Sequence, residues 1–227
     1  MTRVFAFLVV CAVVVPASAV QIVNYSWEDG AGTILGSYGN LVDDLNITGP
    51  QTGSSGNGGT YTCPGARTGD RYLHVAEDPH DGTPQAYVAF ITGLTDGDVV
   101  SGSFFGYDES PGLSPSLRIW GHYALSTDIT AYKGSASGNS DYTAGTGWDE
   151  VSHSWTFDSD GGTRDALVIE ARLYSYPSTA DDHTDFWIDD LTVVAPDGAS
   201  VLVAPEPTTL GLLLLGGVAT ALRRRGR

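Results

Sequence analysis

The stretch ALVIEARLYSY, residues 166–176, alternates between two sets of side chains. One set is wholly apolar: Leu167, Ile169, Ala171 and Leu173. The other is mixed: Val168, Glu170, Arg172 and Tyr174. Because successive side chains of a strand point to opposite faces, this period of two predicts a β-strand with one face toward a core.

Seven further stretches alternate in a similar way, and Gly, Asp, Ser and Pro separate them. They are QIVNYSW (21–27), RYLHVAE (71–77), QAYVAFI (85–91), DVVSGSFFGYD (98–108), SLRIWGHYAL (116–125), EVSHSWTFD (150–158) and DFWIDDLTVV (185–194). No apolar stripe of helical period occurs between residues 20 and 203. About eight short strands predict an all-β fold, a jelly-roll β-sandwich with one core.

The segments between these stretches set the predicted domain limits. Two Gly- and Ser-rich segments, residues 48–70 and 132–150, are predicted to be long loops that are flexible or functional. Residues 196–204 have the composition of a linker. The predicted sandwich domain therefore covers residues 20–195.

The N-terminus has the features of a secretory signal peptide. Arg3 precedes an apolar run over residues 4–15, and the small residues Ala17, Ser18 and Ala19 follow. We expect residues 1–19 to be removed on export. A lipoprotein signal is the alternative, since Cys11 follows apolar residues, but the residue before that cysteine is not small.

The C-terminus, PEPTTLGLLLLGGVATALRRRGR over residues 205–227, carries an apolar segment of 13 residues from Leu210 to Leu222. A helix that spans a bilayer needs at least about 17 apolar residues, so this short transmembrane helix is a weak anchor. The order of its parts closely resembles the PEP-CTERM sorting signal: Pro205, Glu206, Pro207, the apolar segment, then Arg223, Arg224 and Arg225.

This resemblance implies an address and a partner. Proteins with such a signal are exported through the inner membrane, anchored there transiently and cut near the Pro-Glu-Pro motif by an exosortase. The arginines would stay cytoplasmic. The released protein would then lie on the cell surface, in the extracellular matrix or in the medium. A permanent weak anchor is the alternative.

The charge of the exported part excludes one class of partner. Residues 20–206 hold all 27 acidic residues and only six basic ones, a formal charge of −21. Nucleic acids require clustered Lys and Arg, so no nucleic-acid partner is expected. The acids serve solubility or bind divalent cations. Cys63 would be the one cysteine left, either a free thiol or half of an intermolecular disulfide.

Four phrases occur in the order seen in galactose-binding-like carbohydrate-binding modules. They are NYSWEDG (24–30), TGDRYLHV (68–75), AYVAFITGLTDGDVVSGSFF (86–105) and DFWIDDLTVV (185–194). The chain resembles that family over most of residues 21–194, although residues 32–68 depart from its pattern. The resemblance implies a jelly roll and a structural Ca²⁺ held by Glu28 and Asp189, with Asp190 as the alternate ligand.

Hard cations suit carboxylate ligands that would otherwise repel one another. Alternation also predicts that Asp189 shares a face with Trp187, Leu191 and Val193, where an unpaired carboxylate is costly to bury. The alternative is that Asp190 is solvated and Glu28 caps a turn.

A sugar platform is predicted where aromatic and polar side chains share the non-core faces of neighbouring strands: Arg118, Trp120, His122, Arg172 and Tyr174. A flat ring flanked by hydrogen-bonding groups suits a sugar. Tyr142 and Trp148 in the second long loop could extend the platform. The alternative is that Trp120 and Tyr174 are ordinary cross-strand neighbours or core residues.

No catalytic motif joins the five scattered histidines, and no Gly-x-Ser-x-Gly elbow is present. We therefore predict a non-catalytic surface or matrix protein whose domain binds an extracellular polysaccharide. A structural or adhesive protein without a sugar site is the second hypothesis, and a secreted polysaccharide hydrolase is the third.

Overall fold

The computed structural model describes residues 19–30, 32–55, 59–79, 83–109, 116–174 and 183–203. Strand pairing there is antiparallel throughout. The strands are β1 (Val20–Tyr25), β2 (Gly36–Tyr38), β3 (Leu41–Thr48), β4 (Gln51–Ser54), β5 (Thr60–Cys63), β6 (Arg71–Glu77), β7 (Gln85–Thr92), β8 (Val99–Asp108), β9 (Ser116–Ala124), β10 (Ser135–Gly138), β11 (Gly147–Thr156), β12 (Ala166–Tyr174), β13 (Thr184–Pro196) and β14 (Ser200–Val203). All eight predicted strands are confirmed, as β1, β6 to β9 and β11 to β13.

The strands form two six-stranded sheets and a separate hairpin of β4 and β5. The first sheet has the order β11-β8-β13-β6-β3, with β1 also paired to β13. The second has the order β10-β9-β12-β7-β14, with β2 also paired to β7. Side chains from both sheets meet in one core, so the predicted all-β sandwich is confirmed.

The core consists of the inward side chains of both sheets. Leu167, Ile169, Ala171 and Leu173 of β12 are fully buried, as their alternation predicts. They join inward residues of the first sheet such as Phe104 in the same cluster. Burial of apolar surface at about 25 cal/mol per Å² is what holds the two sheets together.

The first Gly- and Ser-rich segment is not a simple loop. Its β4–β5 hairpin covers the outer face of the first sheet and forms a second apolar cluster there: Tyr61, Cys63, Tyr72, Tyr107 and Trp187. Tyr61 and Cys63 come from this segment and give it an apolar surface of its own, in spite of its high glycine content.

The sandwich extends past the predicted boundary at residue 195. Strand β14 pairs with β7, opposing Val203 to Ala89. The amide of Gln21 donates hydrogen bonds to the carbonyls of Pro196 and Ala199, at 3.0 and 2.6 Å. The stretch predicted as a linker is therefore part of the domain through Val203.

Both terminal signals lie outside the described residues, apart from Ala19 at the end of the predicted signal peptide. In the described part of the chain no helix has the length and apolar character needed to cross a membrane.

Candidate functional site

The outer face of the second sheet carries the strongest candidate for a binding surface. Strands β9 and β12 are neighbours, with Arg118 directly opposite Arg172 and Trp120 opposite Glu170. Their core-facing residues alternate with these, so the mixed positions point away from the core. The predicted platform residues Arg118, Trp120, Arg172 and Tyr174 are partly exposed on this face.

Cations and rings stack on one another across this face. The guanidinium carbons of Arg118 and Arg172 lie 4.5 and 4.4 Å from the centre of the Trp120 ring. Arg118 also lies 5.1 Å from the ring centres of Tyr142 and Tyr174. We call these five residues the arginine–aromatic face: Arg118, Trp120, Tyr142, Arg172 and Tyr174.

Tyr142 joins this face, as the sequence suggested, but Trp148 does not. The rings of Tyr142 and Tyr174 meet edge to face, with centres 4.9 Å apart, and Tyr142 is 45% exposed. Trp148 belongs to the first sheet, where its ring packs against Tyr72 and Tyr107. The suggested extension of the platform by Trp148 is therefore wrong.

His122 does not belong to the exposed surface, which corrects its prediction as a ligand-contacting residue. Its side chain is 1% exposed and lies between the rings of Tyr87 and Tyr132, with ring centres 4.9 and 5.6 Å away. Its Nδ1 makes a short hydrogen bond with the Glu170 carboxylate. The alternation of β9 is as expected, but the loop after β9 brings Tyr132 over this histidine.

Glu170 is the buried anchor of the arginine–aromatic face. Its carboxylate accepts a hydrogen bond from Nε of Arg172 at 3.1 Å and faces His122 with its other oxygen. In the side-chain orientation that lets it donate, the amide nitrogen of Gln85 lies 3.2 Å from Oε1 and 3.3 Å from Oε2 of Glu170. These contacts fix the position of Arg172. The sequence placed Glu170 on the same strand face as Arg172, but it did not show that this carboxylate is buried and holds the arginine.

This arrangement brings apolar ring surface and hydrogen-bond donors together on one face. Rings of Trp120, Tyr142 and Tyr174 supply the apolar part, and two guanidinium groups supply fixed donors beside it. Trp120 is itself held in place, since its Nε1 donates to the Ser135 hydroxyl at 2.9 Å. Such a combination suits a sugar, which presents C–H groups and hydroxyls together.

The predicted calcium ligands lie at another place, around the loop of residues 67–71. The Asp189 carboxylate is fully buried and accepts hydrogen bonds from the backbone N–H groups of Arg67, Thr68 and Asp190, at 2.8, 3.3 and 2.8 Å. Asp190 pairs with the Arg67 guanidinium at 2.6 Å. Burial raises the pKa of Asp189 to about 6.

Glu28 holds the other end of the same loop. Its Oε1 accepts hydrogen bonds from the backbone N–H groups of Asp70 and Arg71, at 3.0 and 2.8 Å. The two predicted ligands therefore approach one loop, and backbone donors occupy the carboxylate oxygens that face it. Within the described ranges no three His, Cys, Asp or Glu side chains converge as metal ligands. These residues do not fit a cage of converging carboxylates, and calcium remains a prediction.

A bulge in β13 changes the predicted environment of Asp189. The register shifts between Asp189 and Thr192, and Asp190 takes a left-handed backbone conformation with φ 49°. Leu191 and Val193 consequently enter the sandwich core, while Asp189 stays with Trp187 on the opposite face. The prediction that all four share one face is therefore wrong, because strict alternation does not survive a bulge.

The sequence did not indicate a histidine–aspartate cluster under the β4–β5 hairpin. Asp185 meets Nε2 of His74 at 2.7 Å and Nε2 of His183 at 3.2 Å, and it accepts the Ser54 backbone N–H at 2.6 Å. Burial raises the pKa of Asp185, but the hydrogen bonds from His74 and Ser54 outweigh it, so the pKa is lowered. The contact with Ser54 fastens the hairpin to the sheet.

The Cys63 thiol lies in the apolar cluster beneath the hairpin, fully buried and without a disulfide partner. Burial raises the pKa of this thiol to about 11. Of the two roles left open by the sequence, the structure favours the unreactive free thiol, since a buried sulfur cannot reach another chain.

Comparison with known proteins finds solved structures of carbohydrate-binding modules that are similar to this chain at low sequence identity. No family model matches the chain, and no curated protein matches its sequence. Solved structures similar to it include the CBM22-2 xylan-binding domain of Xyn10C from Paenibacillus barcinonensis, with 17% identity, a TM-score of 0.43 and coverage of 76% of this chain and 98% of that one. Another is TmCBM27, a mannan-recognising module, with 12% identity, a TM-score of 0.42 and coverage of 78% and 99%. Xylan and mannan recognition are properties of those modules.

Proposed function

We propose that the domain of residues 20–203 is a non-catalytic module that binds an extracellular polysaccharide on its arginine–aromatic face. The observation that carries this proposal is the grouping of three partly exposed rings around two positioned guanidinium groups. A purely structural protein has no need to keep such rings accessible, since large aromatic side chains contribute more when buried.

Affinity electrophoresis tests the proposal. Residues 20–203 contain every described strand, so this fragment is run in gels with and without soluble polysaccharides. We expect at least one polymer to retard it. Trp120→Ala should reduce the binding constant at least about tenfold, because both guanidinium groups of the face lie against this ring.

Phe105→Ala is the matched control. Phe105 lies on the outer face of the first sheet, and the centre of its ring is 3.4 Å from the Arg67 guanidinium carbon. It therefore forms a similar cation–ring pair away from the arginine–aromatic face. This variant should bind as the parent does. No retardation by any polymer would favour the structural or adhesive protein, and turnover of a polymer would favour the hydrolase.

We propose further that the chain is exported and that an exosortase reads its tail at the inner membrane. Support comes from the order of Pro-Glu-Pro, apolar segment and arginines in residues 205–227. Strand β14 ends at Val203, so a cut near Pro205 would leave the whole sandwich intact. Mass spectrometry of the protein released by cells with and without an exosortase tests this. Release of the same mass from both would refute it.

A further inference from the structure

The arginine–aromatic face carries an unusual concentration of positive charge for this protein. Residues 20–206 contain only six basic residues against 27 acids. Two of the six, Arg118 and Arg172, are directly opposite each other on adjacent strands. Like charges in that relation destabilise a sheet. Their placement therefore needs a compensating group.

The protein supplies that group only in part. Arg172 pairs with the buried Glu170, whose other oxygen already serves His122. Arg118 makes no ion pair with any described residue. The one hydrogen bond that its side chain makes there runs from Nη1 to the Tyr142 hydroxyl at a long 3.4 Å, and its buried Nε has no partner in the described structure.

Other arginines of the protein are compensated differently. Arg67 pairs with Asp190 at 2.6 Å and Arg164 with Asp158 at 2.8 Å, so the acid-rich surface supplies partners where they are needed. The Arg71 guanidinium forms no ion pair with a carboxylate in the described ranges, but it donates to the Asn46 side chain at 3.2 Å. Arg118 thus lies opposite another cation, and among the described residues its guanidinium group lacks most of its hydrogen-bond partners.

Resting on the polysaccharide binding proposed above, we infer that the ligand is an acidic polysaccharide whose uronate carboxylates bind Arg118 and Arg172. A guanidinium offers a planar fork that matches a carboxylate with two parallel hydrogen bonds. The rings beside it accept the apolar side of the same sugar. One carboxylate would then supply the negative charge that the pair of arginines lacks.

The acidic remainder of the domain does not prevent this binding. Charges at the surface are screened beyond about 8 Å at physiological ionic strength, whereas the contact with the arginines is direct. A nucleic acid differs because its dense phosphate charge needs many basic groups along its length. A polysaccharide with one carboxylate per sugar can satisfy the arginines locally.

The test compares acidic polymers with neutral versions of themselves. Polygalacturonate, alginate and hyaluronan are each used as such and after reduction of their carboxyl groups to alcohols, in affinity gels of residues 20–203 at 0.15 M salt. We expect retardation by at least one acidic polymer and a binding constant at least tenfold lower for its reduced form.

Variants separate charge from folding. Arg118→Gln should lose at least tenfold in affinity for the acidic polymer and Arg118→Lys should lose less. Arg67→Gln, in the loop beside the first sheet, should bind as the parent does. Thermal unfolding confirms that each variant is folded. Equal binding of acidic and reduced polymers, or full affinity in folded Arg118→Gln, would overturn the inference and leave polysaccharide binding intact. No retardation by any of these or by neutral polymers would overturn both.

Discussion

Replacing Asp189 by Asn should remove a pH-dependent part of the free energy of unfolding. The Asp189 carboxylate is fully buried, and burial raises its pKa from 3.8 to about 6. Between pH 3.8 and about pH 6 the Asp189 carboxyl group is protonated in the folded state and ionised in the unfolded state. Stability from this group is therefore highest below pH 4 and falls as the pH rises toward 6.

The size of the effect follows from the shift. One pKa unit corresponds to about 1.4 kcal/mol, so a change of about two units gives about 2–3 kcal/mol between pH 4 and pH 7. Asn has the same shape but does not titrate. The variant loses an acceptor for the N–H groups of Arg67 and Thr68, but that loss is nearly independent of pH.

Urea unfolding of both proteins in EDTA at pH 4 and pH 7 measures the difference. Other groups titrate equally in both, so the quantity of interest is the stability of the parent minus that of Asp189→Asn. We expect it to fall by about 2–3 kcal/mol from pH 4 to pH 7. A fall below about 1 kcal/mol would refute the argument that burial controls this carboxylate.

The same pair of proteins tests the predicted calcium ion. A calcium ion held by the ionised Asp189 carboxylate would, on addition at pH 7, stabilise the parent and leave Asp189→Asn unchanged. If the parent unfolds at the same midpoint in calcium and in EDTA, calcium does not bind at this loop.

Three other regions give predictions of their own. Asp185→Asn should destabilise the protein at pH 7, and urea unfolding should show this deficit shrinking as the pH falls below about 4, because the lowered pKa of Asp185 stabilises only the ionised form. The Cys63 thiol should resist a thiol reagent at pH 8 until urea unfolds the chain; rapid native labelling would contradict its burial. Gly121→Ala would place a Cβ 3.0 Å from Nε1 of Trp155 and 3.2 Å from the Val168 carbonyl, and should cost about 1–3 kcal/mol in unfolding, whereas Gly198→Ala, with open space around it, should cost little.

The strands and their core faces could be predicted because both depend on local pattern. In β12 the fully buried side chains of Leu167 and Ile169 are those that alternation assigns to the core. Prediction failed where the apolar signal was short or interrupted. Residues 41–48, 51–54 and 60–63 form strands although acids and glycines break their alternation, because the first sheet pairs with β3 through β6 and packs against β4 and β5.

The candidate site was predicted only in part. Alternation on β9 and β12 placed Trp120 and Tyr174 away from the core, but it could not distinguish the partly exposed Trp120 from the buried His122 on the same face. That difference depends on Tyr132 and Tyr87, which come from other parts of the chain. Likewise Trp148 and Tyr142 lie six residues apart, yet they pack on opposite sheets.

The sequence by itself determined the all-β class, the faces of the main strands and the acidic charge, since composition and a period of two are local properties. Tertiary structure decided that Arg118 opposes Arg172, that Glu170 lies buried beside them, and that Glu28 and Asp189 hold one loop from its two ends. These facts depend on strand register and on a bulge in β13. Contacts between residues far apart in the chain select the register and the bulge, so a short stretch of sequence does not reveal either.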